Sequence, residues 1–191
     1  MLTHLHSDHT TGVVRLLNLM NVNTVILPDN AEDTNGDDVL DDIIAACEDN
    51  GTKIVYITRD TEFTAGAIRL SVYESSERGS RDESGIMSTV SIGDYDMLVT
   101  GDVEKVVERE LVSSHDLSGT ELLIVPHHGS KYSTSDELLS ELRPETAVIS
   151  TGYNRYGHPT KETLDKLNEY GVNVLRTDEL GRIVLHVASG D

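Results

Sequence analysis

The opening residues hold the feature that most restricts the fold, because three histidines and an aspartate fall in the order His4-x-His6-x-Asp8-His9. In an extended segment alternate side chains lie on the same side, so His4 and His6 can converge on one cation. Asp8 and His9, at the turn into a following helix, can reach a second cation. We disfavour the alternative, a solvated polar N-terminal segment, because the pattern is dense. The segment predicts a metal site.

Three later polar segments each follow a predicted strand and precede a helix. They are Gly101-Asp102, residues 126–135 and residues 150–159. A Gly-Asp pair alone is common in turns and helix caps, so Asp102 gains meaning only from the other segments. In 126–135, free backbone N–H groups and hydroxyls before a helix can hold an anion. Because each segment follows a strand end, we expect all three to gather at one rim of a sheet, as a metal site requires.

Hydrophobic periodicity predicts a mixed chain of helices and strands. Apolar residues at helical spacing predict helices over 13–20, 37–50, 103–112, 135–142 and 160–170. Short apolar or alternating runs predict strands over 23–27, 53–58, 68–72, 87–92, 97–99, 122–125 and 147–150, and a closing hairpin of 172–176 and 182–187 turned at 178–181. The polar segment 74–85 is predicted to be a mobile loop. Without a recognisable linker, residues 1–191 are expected to form one α/β or layered α+β domain.

Charge and hydropathy narrow the class of protein. Acidic residues outnumber basic ones 34 to 15, for a net charge of −19, which disfavours broad non-specific coating of nucleic acid or anionic lipid. The sequence contains no apolar run near the ~20 residues that span a bilayer, so it predicts a soluble chain. It would lie in the cytoplasm, or at the extracytoplasmic face of the membrane if it is part of a larger membrane protein.

The four segments together resemble the metallo-β-lactamase superfamily, and most closely the C-terminal hydrolase domain of ComEC-type DNA-uptake proteins. The likeness rests on Leu2 to His9, Gly101-Asp102, His127 to Lys131 with Ser133 to Ser135, and Tyr153-Asn154 with Tyr156 to Pro159. It implies an α+β fold, an αββα four-layer sandwich, and a phosphodiesterase that degrades DNA during uptake. The family domain begins with several strands before the histidine motif, and this chain has only Met1 to Thr3 there. Part of the first sheet is therefore expected to be missing, as in a fragment or a miscalled start.

The resemblance also implies the roles of individual residues and two divalent cations, Zn²⁺ or Mn²⁺. His4 and His6 would hold the first cation, Asp8, His9 and His158 the second, and Asp102 both. No histidine lies between His9 and His115, so the first cation is short of nitrogen ligands unless His127 or His128 closes its shell. This shortage is a reason to consider Mn²⁺ beside Zn²⁺.

The remaining candidates are catalytic and substrate-binding residues. Asp8 and His128 are the candidate catalytic residues, and His128 could instead complete a metal shell. His127, Ser130, Lys131 and Ser133 are candidates for binding the substrate phosphate, unless the lysine and serines are only loop and cap residues.

Three functions remain open on the sequence alone. The leading one is metal-dependent hydrolysis of single-stranded DNA or another phosphodiester, with the membrane channel of a parent protein as a further partner. A small-molecule hydrolase acting on a thioester, lactam or nucleotide is the alternative within enzymes. A catalytically silent interaction domain is the alternative outside them, since an exposed sheet edge would favour self-association.

Overall fold

The computed structural model describes residues 1–29, 39–74 and 85–187, which contain two β-sheets. The smaller sheet pairs two parallel strands, β1 (Thr24–Pro28) and β2 (Lys53–Ile57). The larger sheet has seven strands in chain order: β3 (Thr61–Ala65), β4 (Ile68–Tyr73), β5 (Met87–Ile92), β6 (Tyr95–Val99), β7 (Leu122–Ile124), β8 (Thr146–Ile149) and β9 (Asn173–Arg176). The pairs from β3 to β6 are antiparallel, and those from β6 to β9 are parallel.

Seven α-helices occur in the described residues. They are α1 (Ser7–Thr10), α2 (Val13–Leu19), α3 (Val39–Asn50), α4 (Lys105–Ser114), α5 (Asp136–Leu142), α6 (Lys161–Glu169) and α7 (Thr177–Leu180). The hydroxyls of Ser135 and Thr160 accept backbone N–H groups at the starts of α5 and α6, which are standard N-caps. In the described part of the chain, no helix combines the length and the apolar character that crossing a bilayer demands.

Three buried clusters show the order of the layers. Val25 and Leu27 of β1 pack with α2 and α3, whereas Ile26 between them packs with Ile57 and Val72 of the other strands. Side chains alternate across a strand, so the cluster around Ile26 fills the space between the two sheets. On its other face the large sheet packs against α4, α5 and α6 through residues such as Leu123. The layers run helix, sheet, sheet, helix, as the sequence predicted.

The first residues tie the two sheets together. The Leu2 N–H donates to the Ile26 carbonyl on β1 at 2.9 Å, and the Ile86 N–H, next to β5, donates to the Thr3 carbonyl at 3.0 Å. The small sheet has two strands in the described residues. The strap at residues 2–3 leads directly into the histidine motif.

The predicted closing hairpin is wrong. Residues 173–176 form β9, but 177–180 form the helical turn α7, and no strand occurs within 182–187. Arg176 explains the turn, because its guanidinium pairs with Asp178 at 2.6 Å and Glu179 at 2.8 Å and folds the chain back. Strand β9 pairs in parallel with β8 and is the last strand of the large sheet within the described residues.

Two other predictions differ from the structure or lie beyond it. The sequence analysis missed β3, whose residues are mostly polar and only partly buried. Most of the predicted mobile loop, residues 75–84, lies outside the described residues. The remaining predicted helices and strands are present, with ends that differ by a few residues.

Candidate metal centre

Three neighbouring parallel strands carry most of the site at their carboxyl ends. Asp102 follows β6, a 3₁₀ turn at Pro126–Gly129 follows β7, and residues 150–158 follow β8. Parallel strands end at the same edge of a sheet, so these segments meet there. The strand order therefore explains how residues distant in sequence reach one rim.

A close backbone approach brings the histidine motif to the same rim. Gly101 has φ +62°, and a Cβ there would lie 2.7 Å from both Cβ and Oγ1 of Thr3. Only glycine fits this contact without displacing the strap. The Thr3 hydroxyl in turn lies 3.1 Å from Nδ1 of His4 and orients the ring. Gly101 thus places Asp102 beside the first histidines.

Two groups of metal-ligand side chains share Asp102. The first contains His4, His6 and Asp102, and the second contains Asp8, His9, Asp102 and His128. Within each group the ligand atoms lie within 4.8 Å of one another. Asp102 Oδ2 is 3.7 Å from His4 Nε2, and Oδ1 is 3.3 Å from His9 Nε2. One carboxylate therefore faces both groups.

Two ring nitrogens of the site are suited to bind a cation. Nε2 of His9 and Nε2 of His128 are buried and make no hydrogen bond of good geometry within the described residues, although carboxylate oxygens of Asp102 and Asp8 lie 3.3 and 3.2 Å away. Buried polar atoms without partners are costly, and a bound cation would satisfy them. His128 Nδ1 lies 2.7 Å from the Ser150 carbonyl, which leaves Nε2 free to bind a metal. The imidazole and carboxylate donors suit a divalent metal ion.

The turn that carries His128 is strained. Both His127 and His128 have left-handed backbone angles, φ 49° and 54°, which are uncommon for residues other than glycine. Gly129 follows with φ +84°, and a Cβ there would lie 2.6 Å from the Pro159 Cβ. The surrounding packing fixes this conformation, which aims His128 Nε2 at Asp8, 3.2 Å away.

Charge and burial shift the pKa of three of these groups in opposite directions. Desolvation, followed by the nearby His9 ring, lowers the pKa of His4 to about 4. Burial alone would raise the pKa of Asp102, but the adjacent rings of His128 and His9 outweigh it and hold that pKa well below its usual range. The contact with Asp102 raises the pKa of His128 to about 9. In the protein without metal, a protonated His128 therefore pairs with an ionised Asp102.

His158 lies at the edge of the site rather than inside either ligand group. Its ring centroid is 5.6 Å from that of His127, and burial, followed by the nearby His127 and His128, lowers its pKa. It lines a cleft of about 290 Å³ with residues that include Asp8 and His128. The structure thus brings His128 to the second group, where the sequence analysis had expected His158.

The predicted phosphate-binding residues have two different environments. Ser130 and Ser133 are 1% and 2% exposed, and the Ser133 hydroxyl donates to the Val103 carbonyl at 2.8 Å. Lys131 is exposed, with Nζ 5.0 Å from the centre of the Tyr132 ring. His127 Nε2 is 4.0 Å from Asp102 Oδ2. The serines therefore support the loop, whereas Lys131 is open to solvent and His127 lies beside Asp102.

Sequence reasoning missed Glu108, a buried carboxylate that shapes this loop. Glu108 is 0% exposed, and its two oxygens accept the N–H groups of Thr134 and Ser135, each at 2.6 Å. The sequence did indicate that Glu108 is buried, because it lies three residues before Leu111 and so on the same, apolar side of α4. An acidic residue within an apolar stripe indicates a buried partner.

Comparisons with solved structures agree with the fold. The metallo-β-lactamase fold protein YhfI from Bacillus subtilis superposes with a TM-score of 0.52 over 92% of this chain and 72% of its own, at 13% identity. The chain has the metallo-β-lactamase fold. CmlA, a diiron β-hydroxylase from Streptomyces venezuelae, has a TM-score of 0.59 over 92% of this chain and 42% of its own, also at 13% identity.

The chain is similar in sequence to curated competence proteins. ComE operon protein 3 of Bacillus subtilis strain 168 is 31% identical over 96% of the chain, and competence protein ComA of Neisseria gonorrhoeae is 34% identical over 60%. This chain spans only 24% of the length of ComE operon protein 3 and 17% of the length of ComA. No family model matches it.

Proposed function

We propose that the chain is a metal-dependent phosphodiesterase that acts on single-stranded DNA during competence-type uptake. The observation that carries the proposal is the position of Asp102, whose carboxylate faces two groups of metal ligands. Two divalent cations at such a centre supply an acidified water nucleophile and stabilise charge on phosphoryl oxygens. The competence relatives support DNA as the substrate and the membrane channel of a parent protein as a partner.

We assign the residues as follows. His4, His6 and Asp102 hold the first cation, and Asp8, His9 and Asp102 hold the second, with His128 or His158 in the remaining position. His128 is favoured as that ligand because its Nε2 belongs to the second group and its Nδ1 faces the Ser150 carbonyl. The alternative role of His128, as general acid toward the leaving oxygen, requires a protonated ring. Counting bound metal in a His128→Ala variant separates the roles, since a general-acid variant keeps two cations.

Other residues of the rim orient the substrate. Lys131 is exposed, lies three residues after His128 in the chain and can pair with a phosphate oxygen of the bound strand. His127, 4.0 Å from Asp102, can contact the same phosphate. Ser130 and Ser133 hold the loop that presents Lys131. Strand β2 pairs only with β1 among the described strands, and its outer edge is a candidate surface for self-association or for the rest of a longer protein.

A direct assay tests the proposal. The purified chain with Mn²⁺ or Zn²⁺ should cleave single-stranded DNA and a bis-aryl phosphodiester, and Asp102→Ala should abolish both activities. Asp165→Ala, an exposed aspartate on α6, serves as the matched control and should retain them. Cleavage by Asp102→Ala would refute the assigned role. Hydrolysis of a thioester without phosphodiester cleavage would favour a small-molecule hydrolase instead.

A further inference from the structure

Two tyrosines project into solvent from the loop beside the metal centre. Tyr153 is 101% exposed and Tyr156 is 83% exposed, although tyrosine rings usually bury much of their surface. Tyr156 also lines the cleft that contains Asp8, His128 and His158. Exposed aromatic rings next to a cleft are typical of ligand-binding surfaces.

The loop that carries these rings is held in place by Asn154. Its side-chain amide donates to the carbonyls of Gly152 and His158 at 2.9 and 2.7 Å, and its oxygen accepts the N–H groups of Tyr156 and His158 at 3.1 and 3.0 Å. At the start of the loop the Thr151 N–H donates to the Thr177 hydroxyl at 2.8 Å. These bonds position the rings before any ligand binds, so binding does not have to order the loop.

One face of the Tyr156 ring is already used and the rest is open. The ring lies on His158 with 5.8 Å between centroids and 30° between planes. Because Tyr156 is still 83% exposed, a further flat ring can stack on it. A nucleotide base there would place the neighbouring phosphate along the cleft that leads to Asp8 and His128.

The charge of the chain favours stacking as the source of affinity. Proteins that bind nucleic acid mainly through phosphates use many lysines and arginines, whereas this chain has 15 against 34 acidic residues. Base stacking on aromatic rings contributes about 1–3 kcal/mol per base and works for every base. Bases in a duplex are already stacked, so only a single strand offers them freely.

We propose that Tyr156, with Tyr153 on the same loop, is a stacking platform for the bases of single-stranded DNA whose phosphate enters the cleft at Asp8 and His128. This inference rests on the proposed function, since it names how that site selects its substrate. It predicts that affinity depends on the presence of bases and falls when the ring of Tyr156 is removed.

Binding of two labelled probes tests the platform. The probes are phosphorothioate strands of about 12 nucleotides, one oligo(dT) and one without bases, measured by fluorescence anisotropy with Mn²⁺. The wild-type chain should bind oligo(dT) about ten-fold more tightly than the baseless strand. Tyr156→Ala should bring this ratio close to one and Tyr153→Ala should reduce it. Tyr156→Phe should preserve the ratio, because the aromatic ring is retained.

A distant tyrosine and a separate assay complete the design. Tyr170 lies at the opposite end of α6 from the site, so Tyr170→Ala should leave the ratio unchanged. Equal binding of both probes by the wild type, or an unchanged ratio in both Tyr156→Ala and Tyr153→Ala, would overturn the platform. Cleavage of a bis-aryl phosphodiester by the wild type is scored separately. Its absence would overturn the proposed hydrolase, whereas cleavage with base-independent binding would overturn the platform alone.

Discussion

Replacing Glu108 by alanine should destabilise the metal-free chain by about 2–4 kcal/mol, because two buried backbone N–H groups lose their acceptors. Glu108 is 0% exposed, and its oxygens accept from Thr134 and Ser135 at 2.6 Å each. Hydrogen bonds to a charged acceptor contribute roughly 1.5–3 kcal/mol each. Burial raises the pKa of Glu108, although the bonds from Ser135 and Thr134 oppose this shift. The cost of burying the Glu108 carboxylate therefore offsets part of the stabilisation from its two hydrogen bonds.

Urea denaturation followed by circular dichroism measures this loss. With a slope near 2 kcal/mol per molar urea, the midpoint of Glu108→Ala should fall by about 1–2 M. Glu108→Gln keeps one oxygen acceptor and should lie between the wild type and the alanine variant. Glu137→Ala, on an exposed carboxylate paired with Arg109, should change the midpoint less. A loss in Glu108→Ala no larger than that in Glu137→Ala would refute the buried-acceptor reasoning.

Three further measurements test the site. Gly129→Ala should lower the free energy of unfolding by about 1–3 kcal/mol more than Gly157→Ala does. Both glycines have positive φ, but only a Cβ at Gly129 would clash with Pro159. Equal urea midpoints for the two variants would contradict this prediction. In metal-free protein, protonated His128 should stabilise the fold fully below its usual pKa of 6.5, and that contribution should be lost as the pH rises through about 9. The difference in urea stability between wild type and His128→Ala should therefore shrink across this window, and a constant difference would speak against the ion pair with Asp102. Metal analysis should find that His128→Ala weakens the second site more than His158→Ala does, and the reverse order would restore His158 as the ligand.

Apolar periodicity predicted the helices and strands well where it was strong, whereas the four-layer order was implied by the family resemblance. The helix at 135–142 and the strand at 147–150 have uninterrupted apolar patterns and are present within a residue or two. The strand β3 was missed because its residues are mostly polar, and an edge strand needs little burial. The alternating residues 182–187 predicted a strand, but the ion pairs of Arg176 turn the chain into α7 first.

The sequence indicated which segments would meet at the candidate site, but not which side chains would point into it. Strand ends indicated that Asp102, His128 and His158 would approach the first histidines, because parallel strands end at one edge. The choice between His128 and His158 depends on the left-handed backbone at 127–128, which is uncommon even for histidine and cannot be read from the local sequence. Side-chain directions of this kind follow from packing, here of Gly129 against Pro159, and packing is decided by the whole fold.

The shared position of Asp102 also sets an order of assembly during synthesis of the chain. All members of the first ligand group precede the parallel strands β7 to β9 in the chain, whereas the second group gains its fourth member, His128, only after β7. In the proposed centre the first cation would therefore have its complete ligand group earlier in synthesis than the second, whose group is completed only with the parallel half of the large sheet.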